Sequence, residues 1–390
     1  MIIGVLKETF PGEQRVALVP ALLPMLQKKN YEILIESGAG MAAGYTDQEY
    51  LDKGAKLGVD RAQVFKEAQV ILQVRGFGSN PEAGADDLQH LNAEKTLIAF
   101  LDPLGSAQHA QTLAKTGVRA LSMELMPRIT RAQSMDALSS MATLAGYKAV
   151  LIGASELMKM FPMLMTAAGS IKPAKVFVLG VGVAGLQAIA TAKRLGALVD
   201  AYDIRPEVKD QVISVGGKFV ELDIEEEDSS DSGGYAKAKS DDFYKKQQEL
   251  LQQHISGMDI VITTAAVPGR KAPILVPESM VHAMAPGSVI VDLAAENGGN
   301  CALTKAGETH EVNGVKIVGP LNVPSSLAYN ASAMYGKNIT TFLNHLSDAE
   351  KGLHFDLEDE IVSGTLVCQD GNVVHPRVKD ILQPEQKASA

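Results

Sequence analysis

Across residues 1–125, apolar and polar positions alternate between short β-rich runs and helical stretches. The runs MIIGVL, YEILIES, VILQVR, TLIAFL and VRALSME are separated by segments such as PALLPMLQKKN. Strands interleaved with helical patterns predict a parallel α/β sheet, because parallel strands need a crossover and the crossover is usually a helix. A second series, KVFVLG, LVDAYDI, KFVELDI, DIVITTAA, SVIVDLAA and GVKIVG, supplies six strand candidates, the number a complete doubly wound sheet needs. Residues 136–160 read as largely helical, and residues 325–346 are helical again. They precede a tail, DEIVSGTLVCQDGNVVHP, that predicts a hairpin turning at Asp370 and Gly371. The simplest architecture is α/β, with two Rossmann-like doubly wound parallel-sheet domains. The first is built from residues 1–140 and 330–390, and the second is inserted at 141–329.

One segment breaks the rhythm. From Asp223 the chain reads DIEEEDSSDSGGYAKAKSDDFYKKQQ, acidic, then rich in Ser and Gly, then basic. Such a composition buries little apolar area, so a mobile loop is expected at about 223–243, with Tyr235 near its glycine-rich centre. It is either a solvated insert or a lid over a bound cofactor.

Composition narrows the classes. Of the 390 residues, 46% are hydrophobic and 21% charged, an ordinary globular mix that argues against wholesale disorder. A formal net charge of -10 gives no general attraction to nucleic acid or to an anionic membrane surface. Cys301 and Cys368 are too few for a disulfide framework, and MIIGVLKETFPGE reads as a first strand rather than an export signal, so a reducing cytosol is expected. The most membrane-like stretch, VLIGASELMKMFPMLMTAAGSI, is interrupted by Glu156, Lys159 and Pro162, so no transmembrane helix is expected. Its methionines, Met158, Met160, Met163 and Met165, are expected to be adaptable core packing.

The motif that carries chemistry is KVFVLGVGVAGLQAIATAKRLGALVDAYDI. Gly180, Gly182 and Gly185 stand in G-x-G-x-x-G spacing, with Val181, Val183 and Ala184 between them, directly after a strand and opening a helix. The first glycine permits the tight turn, the second lets the backbone approach a pyrophosphate, and the third lets helix and strand pack closely. The helix N-terminus adds unpaired N–H groups for the phosphates. The helix pattern runs to Leu195 and stops at Gly196. The following strand leads to Asp203, Ile204 and Arg205, and Asp203 lies 18 positions beyond Gly185, where a carboxylate can accept hydrogen bonds from the adenosine ribose. A carboxylate there repels the extra phosphate of NADP, so NAD(H) is favoured. Arg205 is the counter-argument, and beside Pro206 it is expected to point outward.

TTAAVPG and DLAAENGGN follow the fourth and fifth strands of this series and place Thr264, Ala265, Ala266 and Glu296 on loops at carboxyl strand ends, where ligands bind in such sheets. For Gly298 and Gly299, a turn and a ligand contact are equally consistent with the spacing. None of the eight histidines falls in a segment that reads as a cleft-facing strand end, and His282, His345 and His354 are expected at the surface. No His or Cys spacing suggests a metal site. A dehydrogenase acting on a hydroxy or amino acid needs a general acid or base beside the nicotinamide, whereas hydride exchange between two nicotinamides needs none.

Ahead of the inserted domain, PRITRAQSMDALSS gathers Arg128, Gln133, Asp136 and Ser139 within twelve positions. These residues, with KETFPGEQRVALVP, MTAAGSIKPAKVFVLGVGVAGLQAIATAKRLGA, GGYAK, VDLAAENGGN and VKIVGPLNVPS, carry a resemblance over nearly the whole chain. The sequence resembles the NAD(H)-binding component, domain I or the alpha subunit, of proton-translocating NAD(P) transhydrogenase, a family related in fold to alanine dehydrogenase. The resemblance implies direct hydride transfer between NADH and NADP held on a partner component, with proton translocation in a membrane-spanning partner. It implies a homodimer on the cytoplasmic side, peripheral to the inner membrane. It also implies that Asp136 and Ser139 hold the Arg128 guanidinium against the nicotinamide amide, that Gln133 bridges toward the incoming NADP(H), and that Tyr235 folds over the nucleotide. Where alanine dehydrogenases carry a Lys, a His and an Asp, this chain has Arg75, Asp102 and Glu296, while Arg15 remains where they bind the substrate carboxylate. The alternatives are an alanine dehydrogenase-like enzyme acting alone and a non-catalytic NAD-sensing module.

Overall fold

In the computed structural model the described residues are 1–221, 241–267, 269–348 and 352–383. They form two compact units, Met1–Met141 with Pro324–Ala390, and Ala142–Val323.

The first unit carries β1 (Ile2–Val5), β2 (Glu32–Glu36), β3 (Lys56–Gly58), β4 (Val70–Arg75), β5 (Thr96–Phe100) and β6 (Arg119–Ser122). Between them run α1 (Leu23–Gln27), α2 (Asp47–Asp52), α3 (Arg61–Glu67) and α4 (Ala107–Lys115). The six strands are parallel in the order β3-β2-β1-β4-β5-β6, the doubly wound order expected from their rhythm. All of β4 except Arg75 is buried, which explains an apolar run interrupted only by Gln73, whose side-chain amide donates to Asp87 at 3.2 Å: helices cover both faces of a parallel sheet. After α10 (Ala328–Leu346) and the short β16 (Ser347–Asp348) and β17 (Gly352–Leu353), α11 (Glu360–Thr365) leads to β18 (Leu366–Gln369) and β19 (Asn372–Val373). These add to the β6 edge as an antiparallel hairpin, followed by α12 (Pro376–Leu382). Its turn is at Asp370 (φ 51°) and Gly371 (φ 77°), the two positive φ values that a two-residue type I′ hairpin demands.

The second unit repeats the plan with β9 (Lys175–Leu179), β10 (Leu198–Tyr202), β11 (Lys218–Phe219), β12 (Ile260–Thr263), β13 (Val289–Asp292) and β15 (Val315–Val318). Their order is β11-β10-β9-β12-β13-β15, all parallel, with β14 (Thr309–Val312) antiparallel on the outer edge. Along β9 the side chains alternate between two cores. Val176 and Val178 pack with Ile189 of α6 (Val183–Arg194) and with Ile260 and Val291; Phe177 and Leu179 pack with Leu251 of α8 (Asp241–Ile255) and Met280 of α9 (Glu278–Ala283). The short helix α7 (Lys209–Ser214) joins β10 to β11.

Several expectations change. The β3 and β14 edge strands are too short and too exposed for their pattern to stand out, and the described part of KFVELDI, residues 218–221, carries a two-residue strand. Tyr235 and most of the expected mobile loop lie outside the described residues, while its end, from Asp241, is already helical backbone. Met158, Met160, Met163 and Met165 are not core: they are 81%, 46%, 62% and 81% exposed. The helix that precedes them ends at Glu156, and the chain turns out through Pro162 into a hairpin, β7 (Leu164–Thr166) and β8 (Gly169–Ile171), that stands clear of the sheet. The apolar stretch long enough to cross a membrane is instead α5 (Ala137–Glu156), with mean hydropathy 1.3. Its glycines seat it on protein: a Cβ at Gly146 would fall 2.0 Å from the Ala184 carbonyl oxygen, and one at Gly153 would touch Ile260 and Val291.

Candidate functional site

The second unit changes winding direction between β9 and β12, and the glycine-rich turn sits at that switch point, where doubly wound sheets open a crevice beyond their carboxyl strand ends. Leaving β9, Gly180 adopts φ 93° and donates its N–H to the Tyr202 carbonyl at 2.9 Å. Its own carbonyl accepts the Thr264 hydroxyl at 2.9 Å, tying the turn to the start of the loop after β12. Gly185 lies on the first turn of α6, where a Cβ would stand 2.0 Å from the Gly180 carbonyl oxygen, so only glycine lets helix and strand meet this closely. Gly182 differs. It caps the helix with ordinary extended backbone (φ -83°, ψ -164°), and a Cβ there would have nothing within 4 Å. Neither strain nor packing requires glycine at 182, and Gly182 N-caps α6 with no side-chain cap to compete for the helix N–H groups.

Asp203, at the end of β10, has a nearly buried carboxylate. It accepts the Val181 N–H at 2.7 Å, and so fixes the turn. Arg205 does not point outward as expected. It folds back, with Nε at 2.9 Å and Nη2 at 3.0 Å from the two Asp203 oxygens, and its own amide is also donated to that carboxylate. The cause is electrostatic, since a carboxylate 7% exposed recovers lost hydration from the nearest fixed fork of donors.

The loops after β12 and β13 are held by two residues the pattern did not single out. Asp292 is fully buried: one oxygen accepts the Thr263 hydroxyl and the Ala294 amide, and the other accepts the Asn300 and Cys301 amides and the Thr304 hydroxyl. Asn300 then brackets Ala265, accepting its N–H at 3.0 Å and donating to its carbonyl at 2.8 Å. Thr264 and Ala265 are therefore positioned, and Ala266 is exposed beside them. Gly298 (φ 92°) and Gly299 (φ 79°) let the backbone wrap Asp292, which gives them a turn role. The readable signal was an Asp closing an apolar strand and followed by Gly-Gly-Asn. Glu296 is exposed and accepts the Asn322 amide.

In the first unit, Asp136 and Ser139 come together at the start of α5. The Asp136 carboxylate accepts the Ser139 amide at 2.9 Å and its hydroxyl at 2.5 Å, which satisfies an otherwise orphaned helix N–H. Arg128 and Gln133 are exposed on the segment before it.

Two family models match in tandem, alanine dehydrogenase/PNT N-terminal domain over residues 4–145 and alanine dehydrogenase/PNT C-terminal domain over residues 149–376. The chain belongs to the alanine dehydrogenase/PNT family. It is similar to the first of the chains that make up NAD(P) transhydrogenase subunit alpha in Rhodospirillum rubrum, with 47% identity covering 96% of this chain and 98% of that one. The crystal structure of transhydrogenase from Sinorhizobium meliloti matches with a TM-score of 0.83 at 43% identity, over 96% of this chain and 99% of that one. An L-alanine dehydrogenase structure matches with a TM-score of 0.81 at 27% identity, over 98% and 99%. Both branches share the fold, and the identities place this member of the alanine dehydrogenase/PNT family with the transhydrogenase alpha subunits.

Around the switch point of the first unit, between β1 and β4, the charged residues engage one another. Arg15 is 3% exposed at its side chain and grips both Glu13 oxygens, with Nε at 2.7 Å and Nη2 at 2.6 Å, and Arg75 Nε lies 3.2 Å from the same carboxylate. The Arg75 guanidinium also stacks 4.2 Å over the Phe10 ring. Glu8 accepts the Val74 and Arg75 amides, yet burial pushes its carboxyl up to about 7. Burial likewise raises Asp102, against the Gly105 amide and the charges of His109 and Arg75. Among the described residues no group of three or more His, Cys, Asp or Glu has the arrangement of a metal site.

Proposed function

We propose that this chain is the NAD(H)-binding part of a transhydrogenase and passes a hydride directly between its own NADH and NADP+ held on a partner component. The observation that carries the reading is Gly182, a glycine at a helix N-terminus and switch point that neither packing nor backbone strain requires, with Asp203 behind the same turn. Gly180, Val181, Gly182, Val183, Ala184 and Gly185 would cradle the pyrophosphate. Asp203, with Ile204 and Arg205, would address the adenosine ribose, and Thr264, Ala265, Ala266 and Glu296 the remainder of the nucleotide. Tyr235, outside the described residues, joins this set through the resemblance alone. Arg205 neutralised on Asp203 supports NAD(H) over NADP(H), because the arginine that would welcome a 2′-phosphate is occupied.

Hydride transfer between two nicotinamides moves no proton to solvent, so the protein's task is orientation. Arg128 and Gln133 are assigned to the nicotinamide end, Asp136 and Ser139 to holding their segment. The fit with the surroundings is chemical: Asp292, at the carboxyl end of β13, is spent on five hydrogen bonds and offers no free base. Proton translocation falls to a membrane-spanning partner, and the chain sits peripherally on the cytoplasmic side. A homodimer is supported by the exposed hairpin, since a two-stranded ribbon is marginal alone and Met158 and Met165 at 81% exposure need cover.

An alanine dehydrogenase-like activity is the second reading, favoured only by the presence of Arg15. Its side chain is already held bidentately by Glu13. Incubation with NAD and alanine tests the choice: no NADH forms on the transhydrogenase reading, and steady alanine-dependent reduction overturns it.

A further inference from the structure

We propose that Asp359, on the returning C-terminal part of the first unit, is a positioning residue for the segment that carries Arg128 and Gln133. The inference rests on the hydride-transfer reading above. That segment, residues 127–136, is polar, and its own structure is one six-residue 3-10 helix, Thr130–Met135, with the Ala132-to-Ile129 and Asp136-to-Gln133 backbone bonds at its two ends. Within that short helix only Ala132 and Met135 are buried, so its seat on the first unit depends on contacts from other elements.

Three contacts from the C-terminal part fix it, and they bracket the two residues of interest. At Pro127, α11 packs closely enough that a Cβ on Gly364 would stand 3.5 Å from the proline Cδ. At Arg131, Nη2 donates to Asp359 Oδ1 at 2.5 Å, with Glu360 a further 3.7 Å partner. At Ser134, the carbonyl accepts the Asn338 side-chain amide of α10 at 2.9 Å. Arg128 lies between the first two pins, and Gln133 between the second and third.

Asp359 is the joint of this arrangement. Its side chain is 16% exposed, and it holds three elements at once. Oδ1 caps α11 by accepting the Ile361 amide at 3.0 Å, and Oδ2 meets His345 Nε2, in the last turn of α10, at 2.5 Å. Burial opposes its charge, but the Ile361 amide, His345 and Arg131 together hold its carboxyl below the ordinary value. His345, expected at the surface from its place in the sequence, is partly buried and serves as the brace behind Asp359. An Arg131–carboxylate pair whose arginine is 53% exposed adds little to global stability, so its use is in direction.

The test uses the full chain. Asp359→Asn keeps an acceptor for the Ile361 amide, since Asn caps helices as well as Asp, and removes the charge that grips Arg131. With NADH saturating and a soluble NADP-loaded partner component present, Asp359→Asn and Arg131→Ala should each slow transfer by about fivefold. The double variant should be no slower than either, and Arg131→Lys should recover most of the rate. NADH affinity should stay within about twofold of wild type, because no partner of Asp359 belongs to the nucleotide turn. Amide exchange at Ala132 and Asp136 should quicken in Asp359→Asn while the buried amides of α10 keep their protection. Unchanged transfer in both single variants, additive losses in the double, or unchanged exchange at 132 and 136 overturns the proposal. Wild-type protein that transfers no hydride overturns the underlying reading instead, and the exchange measurement still decides the role of Asp359.

Discussion

Two alanine substitutions four residues or fewer apart should separate a binding glycine from a packing glycine. At Gly185 an added Cβ lies 2.0 Å from the Gly180 carbonyl oxygen, more than 1 Å inside contact, so β9 and α6 must move apart. Overpacking of this kind costs about 1–3 kcal/mol, which in a unit of this size lowers the unfolding midpoint by roughly 2–10 °C. At Gly182 the same methyl meets nothing within 4 Å, and φ -83° suits alanine. The lower entropy of the unfolded chain, worth about 0.4–1 kcal/mol, offsets the weaker alanine cap, so stability should change by less than about 0.5 kcal/mol. Binding should show the reverse emphasis. A methyl at 182 stands where the pyrophosphate must approach the backbone, and losing one charge-assisted hydrogen bond weakens NADH by at least about tenfold, or 1.4 kcal/mol. Thermal denaturation and NADH fluorescence titration of both variants read the two quantities. A Gly182→Ala protein that binds NADH like wild type would refute the assignment of this turn to the nucleotide.

Three further outcomes follow from named contacts. Asp203→Ala removes the ribose acceptor and releases Arg205, so NADH affinity should fall at least about tenfold while NADPH affinity rises, and titration with both nucleotides reads the ratio; an unchanged ratio removes Asp203 from nucleotide choice. Asp292→Asn turns an amide group toward N–H and O–H donors, and denaturant unfolding should show a loss of about 2–4 kcal/mol; a loss below about 1 kcal/mol contradicts the loop-organising role. Glu8, raised from 4.5 to about 7, holds its proton in the folded chain over a range where the unfolded chain has lost it. Its contribution is therefore complete below about pH 4.5 and is lost as pH rises through about 7, a span of about 3 kcal/mol. Unfolding free energies at several pH values should decline more steeply for wild type than for Glu8→Gln, and parallel curves would show that Glu8 titrates normally.

Periodicity carried the fold well because parallel strands covered on both faces leave long apolar runs. β4, β9, β12 and β13 are buried almost throughout, and each stood out as a run. Edge strands β3 and β14 lack that pressure and leave no such run in the sequence. The methionines of 158–165 show the converse: an exposed apolar hairpin and a buried one have the same composition, and only the path of the chain after Glu156 distinguishes them. At the site, glycine spacing locates the turn, since Gly180 and Gly185 answer steric demands and Gly182 stands between them where no packing requires it. The inward turn of Arg205 depends on the burial of its neighbour Asp203, and the hold of Asn300 on Ala265, 35 residues away, depends on where two loops meet, which no local pattern encodes. His345 and Asp359 meet across the stretch between α10 and α11 for the same reason.

The most direct test of the central claim is rapid mixing of this protein, loaded with NADH, with a soluble NADP-loaded partner component, following absorbance for wild type and Gln133→Asn. Hydride transfer without added amino acid, collapsing in the variant while NADH still binds, is the predicted result. No transfer to the second nucleotide, with NAD reduction appearing only when alanine is supplied, would contradict the account.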